Sequence, residues 1–328
     1  MIRPLPTVFD QALAAAVRAP SPHNTQPWRF VVEHEVIEVW LDRERVLTVA
    51  DPHGREARLA CGAAAFNLVI CLRVNGFAAV VRMLPDPAEP DLVAVIRLDG
   101  NQKATAGERR LAEAVFRRHT NRRPLLDKEV PPAARTALKS AALQEGGQIE
   151  YLNVSGRYST VASLVRQAEA LQADNPVFRA EAEYWTHREP GSPDGVPKTA
   201  SGPPPYGPGV VTLRASHENE NLPPREYEQE PLLGVLLTRD RGPHAEVRAG
   251  MAMQRVLLTA TAEGLATSFL SQPFETARTR ASLDRIFAGF GQPHTLLRIG
   301  YGSPTRLTDR RPVEDVLSHR TGPDVPAS

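Results

Sequence analysis

The sequence predicts an α+β protein in which helices flank a mixed sheet, and three observations carry that prediction. Alanine- and leucine-rich helical patterns are interspersed with short apolar runs of strand composition along the whole chain. Gly62 and Gly76 bracket one such helix, followed by a strand-like run, and Gly250 and Gly264 bracket another at the same spacing, which suggests a duplicated unit. The stretch from Glu189 to Glu230 fits neither element type; at roughly forty residues it is longer than a connector needs and reads as a lid or a disordered insertion.

In chain order, Phe9 to Val17 predicts a helix, and Ala19-Pro-Ser-Pro-His-Asn-Thr-Gln-Pro-Trp-Arg-Phe30 stops it. Pro20, Pro22 and Pro27 lack the amide hydrogen that a helix needs and push each preceding residue towards extended backbone, so this stretch is a stiff loop. Phe30 to Glu33 and Val36 to Leu41 follow as a strand pair. Ala57 to Asn75 is a helix closed by Gly76, then Phe77 to Leu84 and Leu92 to Leu98 are strands, with Asp99-Gly100 as a turn. Helices are predicted at Gly107 to Arg118, Pro132 to Leu143, Ser159 to Gln172, Pro176 to His187 and Met251 to Glu263. The remaining strands are Ile149 to Val154, Leu232 to Thr238 and Thr295 to Tyr301. The halves divide as residues 1–105 and 106–328, the second carrying the Pro/Gly-rich insertion at 189–230.

Composition excludes several classes of function. Lys+Arg 39 against Asp+Glu 38 gives a net charge of +1, so no global field favours nucleic acid or an anionic membrane. Cys61 and Cys71 share one predicted helix and read as core, and the nine histidines are scattered, so no metal site is expected. No run approaches the roughly 18 apolar residues of a membrane span, and no leader pattern opens the chain, so a cytoplasmic location is expected. No dinucleotide fingerprint, P-loop, nucleophile elbow or zinc-protease motif occurs.

The proline-bounded loop is dense in donors and acceptors: Ser21, His23, Asn24, Thr25 and Gln26. Its string closely resembles the Ser-x-x-Asn-x-Gln-Pro-Trp signature of the flavin-dependent nitroreductase family, and the sequence after it is most similar to the long, single-chain, FMN-binding branch known as the Acg type. The resemblance implies a nitroreductase-like fold and FMN as cofactor, with Ser21, Pro22, His23, Asn24 and Gln26 at the flavin. Hydroxyls, amides and loop N–H groups suit the pyrimidine edge of an isoalloxazine.

Arg117-Arg118-His119-Thr120-Asn121-Arg122-Arg123-Pro124 is the densest basic cluster. It resembles the family's Arg-Arg-x-Ser/Thr-x-Arg element, which implies that Arg118, Thr120 and Arg122 face the FMN phosphate; guanidinium forks suit a dianion. Ile299-Gly-Tyr-Gly-Ser-Pro304 and Asp309-Arg310-Arg311-Pro312 resemble the family's closing motif. On that match Arg311 reaches the same phosphate, with Arg310 and Arg306 as weaker candidates, and Asp309 departs from the basic residue of many relatives. Phe269-Leu-Ser-Gln-Pro273 corresponds to the strand end beside the reactive flavin edge, so Ser271 and Gln272 are expected there.

The loop occurs only in the first half, the arginine element and closing Arg-Pro only in the second. By the resemblance, the chain is a fused version of the family's dimer that kept one complete site, and a monomer is expected. The implied activity is electron transfer from NAD(P)H through FMN to a nitro or quinone acceptor, the protein orienting the cofactor. The alternative is a flavin-binding or storage protein whose insertion blocks turnover, with Tyr206 as the residue laid against the ring.

Overall fold

The computed structural model describes residues 5–152, 156–204, 219, 221–227, 231–303, 305 and 307–318. Helix α1 (Leu5–Ala16) turns Val8, Ala12, Leu13 and Ala16 into the core and stops ahead of the proline-bounded loop. Strands β1 (Trp28–Glu33) and β2 (Val36–Leu41) form the expected antiparallel hairpin, with Trp28 and Phe30 buried and Arg29 between them exposed. Helix α2 (Arg55–Val74) is capped by Asp51, whose carboxylate accepts from the amides of Arg55 (2.7 Å) and Ala57 (2.9 Å). It ends at Gly76, whose φ of 96° few other residues adopt, as the sequence predicts.

Strands β3 (Phe77–Met83) and β4 (Leu92–Asn101) complete most of the first sheet, whose order is β3-β4-β2-β1-β9. Strand β4 runs through Asp99-Gly100, where a turn is predicted. The pair is instead a bulge: between Phe77↔Asn101 and Ala79↔Leu98 the register gains one residue on β4, and Gly100 supplies the left-handed conformation (φ 80°). Strand β9 (Leu317–Ser318), near the end of the chain, lies parallel to β1 with Phe30 opposite Leu317.

A second sheet takes the place of the single mixed one that the sequence suggests. Its strands β5 (Gln148–Leu152), β6 (Leu232–Thr238), β7 (Ala266–Phe269) and β8 (Gln292–Gly300) run in the order β5-β6-β8-β7, each antiparallel to its neighbours. The mixed character belongs to the first sheet, through β9. Around the sheets pack α3 (Ala106–Val115), α4 (Pro132–Gln144), α5 (Gly156–Ala173), α6 (Pro176–Thr186), α7 (Pro243–Ala262), α8 (Gln272–Glu275) and α9 (Ala277–Ile286).

The two glycine-bracketed helices, α2 and α7, meet at the centre. A Cβ on Gly62 would stand 2.2 Å from the Val247 carbonyl oxygen, and one on Gly250 would stand 2.0 Å from that of Leu59. The absence of a side chain at both positions lets the backbones touch. Around this crossing Arg58 donates to Glu246 (2.7 Å), its counterpart at the repeat spacing, and Gln254 donates to Asn67 (2.8 Å). By length and apolarity α2 would suffice to cross a membrane, a pattern the sequence reading passed over. Yet 83% of its apolar window is buried inside the fold, as befits a core helix.

Candidate functional site

The proline-bounded loop is held in a conformation that its residues do not favour. His23 (φ 44°), Asn24 (φ 59°) and Gln26 (φ 53°) are all left-handed without being glycine. Such a backbone persists because its surroundings over-determine it. The Ser21 hydroxyl accepts from the Gln26 amide (2.9 Å), and the Thr25 amide donates to the Pro22 carbonyl (2.9 Å). The Asn24 side chain donates to the carbonyls of Gly195 (3.0 Å) and Asp309 (3.1 Å). That of Gln26 donates to Pro193 (2.8 Å) and accepts from the Arg311 amide (2.9 Å).

These bonds divide the predicted residues in two. Ser21, Pro22 and His23 line a cleft, whereas the side chains of Asn24 and Gln26 tie the loop to residues 193–195 and 309–311. The cleft holds about 840 Å³ of empty space, open solvent included. Residues far along the chain complete the lining: Thr120, Arg122, Ser268 and Phe269, with Ser271 and Gln272 at the head of α8. Leu59 and Ala60 of α2 and Met253 of α7 add apolar surface, and Glu56, Glu275 and His294 stand in the wall. Residues from distant parts of the chain therefore form it.

Around Arg122 lies a cluster of guanidinium groups, of which that of Arg118 is buried and those of Arg18, Arg122 and Arg310 are half-buried. Arg118 is 3% exposed; one of its nitrogens donates to the Arg18 carbonyl (3.2 Å), while Nε and Nη1 have no partner among the described residues. Burial, then repulsion from Arg18 and Arg122, lowers its pKa to about 10. Arg122 is lowered to about 10 by burial. Arg310 is held well below the ordinary arginine value by burial and by the charges of Arg118, Arg18 and Arg122, against which only Asp309 acts, and its Nε is likewise unpartnered. Asp309 offsets the burial of Arg18 in the same way. Among the four, Arg118 and Arg310 hold buried donors without a partner among the described residues, and charges so gathered suit a multiply charged anion.

Arg311 is not among them. Its guanidinium donates to the Asp315 carbonyl and sits in the field of Arg45, Asp42, Asp315 and Asp194. Gln26 accepts from the Arg311 amide, and Arg311 Nη1 is buried without a partner among the described residues, as are Nε of Arg310 and two nitrogens of Arg118. Arg18 went unnoticed, since a lone cation after a helix reads as surface. The only sequence signal was its place three residues ahead of Ser21. Arg306 and Tyr206 lie outside the described residues.

Part of the Pro/Gly-rich segment is well placed to act on this site. Asp194 pairs with Arg45 (2.5 Å) and Arg188 (3.3 Å), and Arg45 donates to the Thr25 carbonyl (2.6 Å). Further on, the Tyr227 hydroxyl lies within hydrogen-bond reach of the carbonyls of Pro203 (2.9 Å) and Arg122 (3.1 Å), and Gly202 lies so close to the Arg122 carbonyl that a Cβ would overlap it. The segment is thus latched to the loop at one end and to the arginine element at the other.

No protein-family model matches the chain. Two proteins of Mycobacterium tuberculosis that carry NAD(P)H nitroreductase names are similar to it along nearly their whole length. One, acg, is 30% identical over 95% of this chain and 96% of its own; the other, Rv3131, is 33% identical over 93% and 89%. Among solved structures, a nitroreductase with bound FMN from Desulfitobacterium hafniense aligns with 64% of this chain and 97% of its own, at TM-score 0.41 and 13% identity. A BluB-like flavoprotein from Clostridium difficile aligns with 63% and 97%, at TM-score 0.41 and 14% identity. At 30% identity or more across nearly all of the chain, the Mycobacterium tuberculosis relatives show that it belongs to the nitroreductase family, in the acg branch.

Proposed function

We propose that the chain is an FMN-dependent oxidoreductase that takes electrons from NAD(P)H and passes them to a small organic acceptor of the nitro or quinone class. The observation that carries this reading is the arginine cluster, with unused donors on Arg118 and Arg310, that adjoins Arg122, itself part of the lining of a cleft built from both halves. A phosphate dianion fits that cluster: Arg118, Arg122, Arg310 and Arg18 would hold it, with the Thr120 hydroxyl adjoining. The ring would lie between the Ser21–His23 face and the Ser271–Gln272 face. When bound, FMN supplies the electron-transfer chemistry. The chain's own residues bind the phosphate, read the ring edge and, through Leu59, Ala60 and Met253, keep water from the cleft.

In this reading the chain is a fused dimer, the halves 1–105 and 106–328 each contributing one part of a single site, and the α2–α7 crossing supports it. Gly62 and Gly250, equivalent by the repeat, meet back to back, as residues near a two-fold axis do. The latched segment supports a second reading, in which the bound flavin is covered and held without turnover.

Anaerobic mixing of the FMN-loaded protein with NADPH or NADH, followed by flavin absorbance, separates the readings. Rapid bleaching, restored by a quinone, is the expected result. A flavin that stays oxidised until residues 191–224 are replaced by a short Gly/Ser linker establishes the storage reading instead. A chain that takes up no FMN overturns both.

A further inference from the structure

One peptide of the proline-bounded loop is gripped at both ends. Thr25 (φ −66°) is the right-handed residue between left-handed Asn24 and Gln26, so the peptide that joins it to Gln26 marks where the backbone changes hand. The carbonyl of that peptide accepts from Arg45 Nε (2.6 Å), and its amide donates to the Ser21 hydroxyl (2.9 Å). Ser21 lines the cleft. A hydroxyl oxygen that accepts from Gln26 keeps its own hydrogen to donate, so a tie made outside the cleft sets a donor inside it.

Arg45 is itself held by the Pro/Gly-rich segment. Its Nη2 pairs with Asp194 Oδ2 (2.5 Å), Asp194 Oδ1 lies 3.3 Å from Arg188 Nε, and both guanidinium groups lie over Trp185, at 5.4 and 5.1 Å from the ring centre. The Arg45 and Asp194 side chains are 19% and 18% exposed, which takes the pair out of the class of solvent-screened surface bridges. Asp194 is fixed from either side. The Pro193 carbonyl accepts from Gln26 (2.8 Å), and the Gly195 amide donates to the Asn24 carbonyl (3.3 Å). Gly195 is left-handed (φ 69°), and a Cβ there would stand 2.7 Å from the Trp185 carbonyl oxygen.

Resting on the proposed function, we propose that Asp194 is a positioning residue: through Arg45 and the Thr25–Gln26 peptide it sets the Ser21 hydroxyl for the ring edge of a flavin in the cleft. A carboxylate suits the role, because it fixes one nitrogen of the guanidinium while Nε stays on the Thr25 carbonyl. The segment acts on the site from outside. Among the described residues the cleft lining includes Pro20 to His23 but none of residues 193–195.

The test measures FMN and riboflavin affinity, the absorption spectrum of the bound flavin, and amide hydrogen exchange in the flavin-free chain. It compares wild type with Asp194→Ala, Arg45→Met, Ser21→Ala and the Asp194→Ala, Arg45→Met double variant. Asp194→Ala should weaken FMN and riboflavin alike, by about fivefold for one hydrogen bond at the ring end, whereas removing a phosphate arginine weakens FMN alone. The bound-flavin spectrum should move in the same direction as in Ser21→Ala. Arg45→Met should cost the same with Asp194→Ala as without it, since both act through one chain of contacts. In the flavin-free chain the Thr25 and Gln26 amides should exchange faster in Asp194→Ala, while those of α2 and α7 keep their wild-type protection. Asp194→Asn, which keeps an acceptor without the charge, should fall between wild type and alanine in every measurement, and it carries the test if the alanine variant does not fold. Unchanged exchange at Thr25 and Gln26, an unmoved spectrum, or losses in the two single variants that add in the double overturns the proposal. A chain that takes up no flavin but shows the faster local exchange overturns the proposed function and leaves the tie from Asp194 to Ser21 standing.

Discussion

Four guanidinium groups gathered beside one carboxylate carry a cost that an anion removes, so each arginine should affect the flavin-free and the flavin-bound protein in opposite directions. Charged hydrogen bonds contribute about 1.5 to 3 kcal/mol, so Arg118→Ala and Arg122→Ala should each weaken FMN roughly tenfold or more, whereas riboflavin, which lacks the phosphate, should bind both variants like wild type. Arg118→Met should leave the melting temperature of the flavin-free chain unchanged or raised, because it removes a buried charge repelled by Arg18 and Arg122. Arg310→Ala should cost more FMN affinity than Arg311→Ala; the reverse order would return the phosphate to Arg311. His294 gives a pH-dependent term. Its folded pKa of about 3 lies below the ordinary 6.5, so as pH falls below about 6.5 the unfolded chain takes up a proton that the folded chain refuses. Stability should therefore decline from about pH 6.5 downwards. Urea titrations of wild type and His294→Gln across that range should show a shallower decline in the variant, and identical slopes would mean that the ring is protonated in the fold.

At the scale of elements, the α2–α7 crossing separates propensity from packing. Alanine in place of a mid-helix glycine usually adds roughly 1 kcal/mol of helix stability. Here the added carbon of Gly62→Ala would overlap the Val247 carbonyl, and that of Gly250→Ala the Leu59 carbonyl. Both substitutions should destabilise, by about 1 to 3 kcal/mol from overpacking, and a melt at or above wild type would show that the helices stand farther apart. The glycines were legible as a repeat in the sequence; their contact was not, because spacing along a chain says nothing about which faces meet. Much the same holds for the strands. The runs at Val36 to Leu41 and Leu232 to Thr238 were read at their observed bounds, since their composition is decisive locally. The division into two sheets and the pairing of β9 with β1 depend on partners far along the chain. At the site, the loop and the arginine element were legible as strings, but the capture of Asn24 and Gln26 by residues 193–195 and 309–311 is a tertiary event. Arg18 joins the cluster for the same reason.

For the whole molecule, the decisive quantity is how many flavins one chain holds. The arginine cluster draws Arg18 from before the loop and Arg118, Arg122 and Arg310 from the second half, and the cleft wall draws on both halves in the same way. An unfused dimer related by a two-fold axis would repeat such a composite site once for each subunit. Here the loop string occurs once and the basic element once, so the fused arrangement has material for a single site. On the fused-dimer reading, the central crossing would supply the contact that two subunits would otherwise have to find, and no partner chain would be needed to complete the cleft. One FMN per chain is therefore expected, in a particle whose mass is that of one chain, 35.9 kDa. Flavin released by heat should be counted against protein, with the particle mass taken from light scattering on the same sample. Two flavins per chain would sink the fused-dimer reading, because no second arginine element exists to hold the other phosphate. A stable dimer that binds one flavin per pair of chains would sink it too, since the cleft would then require a neighbour.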